Sequence, residues 1–138
     1  MADSRICSTE YGRSTEPYKL EDSEADQEWL ARYNFICSMG GDKKDSRRCS
    51  LHHILPRSKS PELAKDARNY SYLPIESHWL AHYCLWRASW RYALEFLFVY
   101  AYFKKHAGWA MSEAEEAEFK EDCARCRAAK KENKKNGQ

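Results

Sequence analysis

Apolar side chains recur at helical spacing in three segments of the chain, and these segments predict three helices. The first helix begins after Ser23, a candidate N-cap, and ends at the glycine pair 40–41. The second is long and extends from about residue 74 to about residue 106, where Gly108 supplies a stop signal. The third is predicted over residues 113–134, because Ser112 and Glu115 form a capping box at its start.

Two short apolar segments between the first and second helices suit β-strands better. Residues 49–56 form one candidate strand, which Pro56 terminates. Residues 69–74 form the other, because their tyrosines favour an extended backbone. The polar segment 57–68 connects them, so the centre of the chain is predicted to run strand, loop, strand, helix. We therefore predict an α+β fold in which helices predominate.

The length of 138 residues predicts a single domain with less regular ends. Residues 1–22 are polar and lack an apolar period, so we expect a flexible arm that is either disordered or draped over the body. Residues 23–111 should form the main domain with its flanking helices. Residues 112–138 should form a C-terminal helix followed by a basic tail.

Composition bears on the cellular compartment in which the protein is expected. The net charge is only +2, and neither a signal peptide nor a clean membrane span is apparent, so no membrane partner is expected. The six cysteines show no spacing typical of secreted scaffolds. We therefore expect a cytoplasmic protein with free thiols.

Four of the five histidines follow one pattern, H-H-x15-N-x8-H-x3-H, which begins at His52 and includes Asn69. His78 and His82 are four residues apart on a predicted helix, so their rings share one face and can meet one ion. That pair alone is more often incidental than a ligand set. His52 from the neighbouring strand would add a third nitrogen and leave room for water and substrate, as in catalytic metal sites.

His53 directly follows His52, so on a strand its ring should point to the opposite face. It is therefore a poor candidate ligand for the same ion. It could instead accept a proton from an attacking water. The competing interpretation is that these are buried structural histidines and an asparagine in a turn. It requires all five positions to match the pattern by chance.

The segment Leu51-His-His-Ile-Leu-Pro-Arg57, then Asn69, then His78-Trp-Leu-Ala-His82 resembles the HNH (ββα-metal) endonucleases, especially small phage-encoded HNH homing endonucleases. The resemblance implies a ββα-metal core, with two short antiparallel strands and a metal-binding helix, within a mainly helical single domain. It also implies that His52, His78 and His82 bind the metal and that His53 is the general base. Asn69 would brace the loop between the strands and help to hold His53.

The implied activity is hydrolysis of phosphodiester bonds in DNA, by nicking or by double-strand cleavage, with a divalent metal as cofactor. Three neutral imidazoles favour Zn²⁺ or Ni²⁺, whereas activity could depend on Mg²⁺ or Mn²⁺ supplied in excess. Besides DNA, the partner could be a second copy of the chain in a homodimer or a phage protein. A phage-encoded enzyme would act in the host-cell cytoplasm. Two alternatives also stay open: a non-catalytic, zinc-containing nucleic-acid-binding module, and a partner-dependent nuclease of the phage packaging or restriction type.

Basic residues near the motif are candidates for DNA contact. Arg57 and Lys59 follow the first strand, where they could bind phosphates or form an ordinary solvated loop. Arg87 and Arg91 lie one helical turn apart beyond His82, and surface ion pairs explain them equally well. The basic segment 125–135 could likewise follow a DNA backbone or be a solvated helix end.

The cysteines suggest a second metal site. Cys123 and Cys126 form a C-x2-C pair, and Cys37 and Cys49 flank the loop before the first strand. Together they could hold a structural zinc ion, although ordinary thiols are the more common outcome for such a spacing.

Overall fold

The structure is a computed structural model that describes residues 13, 15–44 and 49–135. In this part of the chain, two strands and four helices follow in the order α1 (Gln27–Ser38), β1 (Cys49–His53), β2 (Tyr70–Pro74), α2 (Ile75–Ala88), α3 (Ala93–Ala107) and α4 (Glu113–Lys135). Single 3₁₀ turns occur at Pro61–Leu63, Ala67–Asn69 and Trp90–Tyr92. The predicted α+β class with predominant helices is confirmed.

Strands β1 and β2 pair in antiparallel register, with His52 opposite Ser71 and His53 opposite Tyr70. The end of α1 lies directly against this pair. A Cβ atom added at Gly40 would lie 2.0 Å from Ser71 Oγ, so the approach excludes any side chain there. Ser71 Oγ also donates to the carbonyl of Cys37 at 2.7 Å. These contacts attach the sheet to α1.

Helix α1 starts later than predicted. Its N-cap is Asp26, not Ser23, because the Asp26 carboxylate accepts from the backbone N–H groups of Glu28 and Trp29. The amide of Ala25 is already bonded to the carbonyl of Asp22 at 3.2 Å in a preceding turn. The chain therefore enters the helix only after this turn.

The prediction of one helix from about residue 74 to about 106 was wrong, because the chain breaks at Ser89. Ser89 is extended, with φ −160° and ψ 137°, and its side chain accepts from the amide of Arg91. The break lets α3 pack back against α2, so that Phe96 meets Trp86 with ring centroids 6.2 Å apart. An apolar period that continues across residue 89 does not reveal this reversal.

The later helix ends match the sequence signals. Gly108 has a left-handed backbone with φ 71°, and its N–H bonds to the carbonyl of Phe103. At the start of α4, Ser112 Oγ accepts from the amide of Glu115 at 3.2 Å, as the capping box predicted.

Two buried clusters hold the described elements together. The first joins α1, α2, β2 and Ile54 directly after β1, and the second joins α2, α3 and α4. Cys37 belongs to the first cluster, whereas Cys123 and Cys126 belong to the second. Cys49 is disulfide-bonded and has no thiolate to offer a metal. The four-cysteine zinc site is therefore not formed, and the expectation of free thiols was wrong for Cys49.

Part of the N-terminal arm is described, and it is draped over the body. Tyr18 donates from its backbone to the carbonyl of Arg68 at 3.0 Å and from its hydroxyl to Asp66 at 2.7 Å. Residues 1–12 and 14 lie outside the described residues. No helix in the described ranges has the length and apolar character needed to span a membrane.

Candidate active site

Three imidazoles converge where β1 meets α2. One nitrogen from each of His52, His78 and His82 lies within 4.8 Å of the others. His78 and His82 share one face of α2, as their four-residue spacing predicted, and their Nε2 atoms are 3.2 Å apart. His52 reaches them from β1, with its ring centroid 4.8 Å from that of His82. A helix and a strand thus supply the set together.

The tautomer of His52 follows from its hydrogen bonds. Its Nε2 lies 2.8 Å from the hydroxyl of Tyr33, which is buried in α1. That hydroxyl has one proton, and it donates it to the carbonyl of Ile54 at 2.5 Å. The Tyr33 oxygen must therefore accept from His52 Nε2–H. Nδ1 of His52 consequently carries the lone pair, which a metal ligand requires.

The surroundings of His78 and His82 also limit which of their ring nitrogens can meet a metal. Ser50 Oγ lies 2.7 Å from His78 Nδ1, which leaves His78 Nε2 to face His82. His82 Nδ1 is buried and has no hydrogen-bond partner among the described residues. Two Nε2 atoms that face each other at 3.2 Å can both present lone pairs only if a cation lies between them. The donor set therefore fits a divalent metal.

Burial keeps these three histidines neutral. Desolvation lowers the pKa of His78 to about 4 and that of His82 to about 3, with the nearby His78 adding to the effect on His82. Desolvation also lowers the pKa of His52 well below its usual value, and neighbouring imidazoles lower it further. Neutral imidazoles at neutral pH are the form that binds metal.

His53 is not part of this set, as its place on the opposite side of the strand predicted. Its Nε2 lies 3.0 Å from the carbonyl of Ala64, which can only accept. Nε2 therefore carries the proton and Nδ1 carries the lone pair. The Tyr70 ring packs edge-on against the imidazole at 5.7 Å. The ring is thus oriented with a basic nitrogen available.

Asn69 is fully buried beside the end of β1. Its Oδ1 accepts from the amide of Leu55 at 2.8 Å, and its Nδ2 donates to the carbonyl of Leu55 at 3.1 Å. The backbone carbonyl of Asn69 accepts from the amide of Ile54 at 2.9 Å. The side chain therefore braces the segment directly after His53.

All four histidines line one cleft of about 360 Å³. Its walls come from β1 and the following loop, from α2 and α3, and from a single residue of α4. Apolar and charged side chains both contribute, and the remaining lining residues are Leu51, Pro56, Arg57, Ser58, Leu85, Leu94, Glu95, Phe98 and Lys130. The three converging histidines therefore lie in the wall of an open cleft.

Comparisons of the chain with models of known protein families, with curated proteins and with solved structures found no match. The chemistry of this cleft is therefore the basis on which a function can be assigned.

The four candidate DNA-contact residues separate into two groups. Arg57 is exposed and lines the histidine cleft, whereas Lys59 lines an adjoining pocket with its ammonium 5.5 Å from the centre of the Tyr92 ring. Arg87 pairs with Glu118 at 3.2 Å, and Arg91 pairs with Glu24 at 2.5 Å. Both arginines line a different cleft, and although Arg91 also lines the adjoining pocket beside Lys59, neither lines the histidine cleft.

The sequence did not indicate two residues of the site, Tyr33 and Ser50, and it indicated Lys130 only as part of the basic segment 125–135. Tyr33 and Ser50 bond the ligand histidines, and Lys130 lines the cleft from α4. Ser50 is two residues from His52 in the same strand, so its alternation with the ligand was a usable signal. Tyr33 is remote from the motif in sequence, and no local pattern indicates its bond to His52.

Proposed function

We propose that this protein is a divalent-metal-dependent DNA endonuclease of HNH type. The single observation that carries the proposal is the convergence of His52, His78 and His82 in one open cleft that also contains His53. Three ligands with an open side are typical of catalytic metal sites, whereas structural sites usually supply four protein ligands.

The metal would be held by Nδ1 of His52 and by the Nε2 atoms of His78 and His82. Once bound, it would supply charge stabilisation to the scissile phosphate and to the departing 3′ oxygen. Tyr33 would hold His52 in the tautomer that binding requires, and Ser50 would orient the His78 ring.

His53 would act as the general base. Its Nδ1 would take a proton from a water molecule while the water oxygen forms a bond to phosphorus and the bond from phosphorus to the 3′ oxygen breaks. The carbonyl of Ala64 accepts from Nε2–H, so it orients the ring and leaves Nδ1 to take the proton. Asn69 would keep the backbone after His53 in place.

Cleavage of supercoiled plasmid by metal-stripped protein tests this proposal, with Mg²⁺, Mn²⁺, Ni²⁺ and Zn²⁺ added in turn. His53→Ala should abolish nicking while the protein still binds metal. His106→Ala is the matched control, because His106 is exposed and is the one histidine outside the motif. Metal-dependent nicking that is lost in His53→Ala and retained in His106→Ala supports the HNH mechanism.

Other outcomes separate the alternatives. Cleavage that persists in His53→Ala would remove the assigned base. DNA binding without cleavage under every metal would favour the zinc-containing binding module. Cleavage that appears only after a phage or cellular partner is added would favour the partner-dependent nuclease.

A further inference from the structure

An aromatic ring lies exposed at the catalytic cleft. Phe98 of α3 is 81 % exposed, more than any other large apolar side chain in the described residues, and it lines the cleft with the four histidines. Its ring contacts no other aromatic ring within the described part of the chain. Packing against other aromatic rings therefore does not explain why an apolar side chain occupies position 98.

Two cations line the same cleft from different elements. Arg57 comes from the loop after β1 and Lys130 from α4, and both are exposed. Within residues 15–44 and 49–135, neither side chain takes part in an ion pair, unlike Arg87 and Arg91. The acidic residue of the cleft, Glu95, accepts a hydrogen bond from Ser58 through Oε1, and its Oε2 is buried. The exposed charge at the cleft is therefore mainly positive.

We infer that the cleft binds an unpaired nucleotide of a DNA strand, whose base stacks on Phe98 and whose flanking phosphates contact Arg57 and Lys130. That the strand is DNA at the cleavage site rests on the proposed function. Exposed aromatic rings beside a positively charged groove are the usual means of binding single-stranded nucleic acid.

The exposure of Phe98 selects an unpaired base over a paired one. In a duplex both faces of each base are covered by stacked neighbours, so no face is offered to a protein ring. An unpaired base has a free π-face, and stacking on an aromatic side chain removes both apolar surfaces from water. The substrate class is therefore single-stranded DNA, or duplex DNA with a bulge, a flap or a mismatch.

Binding of fluorescent oligonucleotides to the metal-free protein in EDTA tests this inference without any cleavage. Phe98→Ala should weaken binding of a single strand by roughly tenfold and should change duplex binding much less. Phe98→Trp should retain the affinity. Phe35→Ala is the matched control, because Phe35 is 65 % exposed and lies in a different groove, on α1.

The contacts of Arg57 and Lys130 with phosphates are tested separately, through the salt dependence of binding. Arg57→Ala and Lys130→Ala should each reduce the slope of log affinity against log salt by about 0.7 on a single strand. Lys105→Ala is the control, because Lys105 is exposed near the end of α3 and does not line the cleft.

The outcomes separate this inference from the nuclease proposal. Equal affinity of wild type and Phe98→Ala for a single strand, or an equal loss on both substrates, would overturn the inference. A wild-type preference for intact duplex would also overturn it, although plasmid nicking could still support the nuclease. Phe98-dependent binding of single strands by a protein that cleaves nothing would support the inference and reject the nuclease.

Discussion

The hydroxyl of Tyr33 lies 2.8 Å from Nε2 of His52 and gives its only proton to the carbonyl of Ile54. His52 must therefore donate through Nε2, and its Nδ1 is left with the lone pair. Partners of this kind determine both the tautomer and the orientation of a ligand imidazole. A buried residue of α1 thus prepares a strand residue to bind a metal.

Tyr33→Phe should weaken metal binding by roughly 10- to 100-fold, because His52 loses the acceptor that selects its tautomer. Titration calorimetry with Zn²⁺ or Ni²⁺ at pH 7.5 measures this change. Tyr100→Phe is the control, since Tyr100 is also buried and bonds to Glu116 in the second cluster. Equal metal affinity in Tyr33→Phe and wild type would show that the hydroxyl does not act on the site.

Metal binding should stabilise the folded protein. At a Zn²⁺ concentration about 100 times Kd, the free energy of unfolding should rise by about 2.7 kcal/mol, because the unfolded chain lacks the assembled site. His82→Ala should abolish the shift in Tm between EDTA and Zn²⁺, whereas His106→Ala should keep it. A full shift in His82→Ala would contradict the three-histidine site.

Asn69→Ala should lower the free energy of unfolding by about 2 to 4 kcal/mol, because it removes the two hydrogen bonds that a fully buried side chain makes to the N–H and C=O of Leu55. Asn34 is a matched comparison, since its side chain makes the same two bonds to Leu20, at 2.9 Å each, in a less buried place. Urea unfolding of both variants should show the larger loss for Asn69→Ala. Equal losses would mean that burial of Asn69 adds nothing to its bonds.

Glu116 should make stability depend on pH. Hydrogen bonds from Lys104 and Tyr100 lower the pKa of Glu116 to about 2, from 4.5. The unfolded chain thus takes up this proton first, so the contribution is complete above pH 4.5 and is lost as the pH falls to about 2. Urea unfolding at pH 5, 4 and 3 should therefore show that the difference in free energy of unfolding between wild type and Glu116→Gln becomes smaller as the pH falls.

Glu121→Gln serves as the control for this pH dependence, since Glu121 is an exposed glutamate of the same helix. The difference in free energy of unfolding between Glu121→Gln and wild type should stay small from pH 5 to pH 3. A gap for Glu116→Gln that widens as the pH falls would reverse the sign and reject the assigned cause.

Local signals in the sequence predicted much of the site. The four-residue spacing of His78 and His82 places both rings on one helix face, and strand alternation separates His53 from His52. The stop at Gly108 and the capping box at Ser112 were also visible, because each depends on a few neighbouring residues. The break at Ser89 was not visible, because α3 turns back only when its apolar face can pack on α2.

The sequence by itself determined the α+β composition, the approximate strands and the shared helix face of His78 and His82. These features follow from periodicity and steric limits that act over a few residues. Only the tertiary structure decided that Tyr33 bonds His52, that Lys130 and Phe98 line the cleft, and that Arg87 and Arg91 lie elsewhere. Such contacts join residues distant in the chain, and they exist only once the buried faces of the helices and strands have packed together.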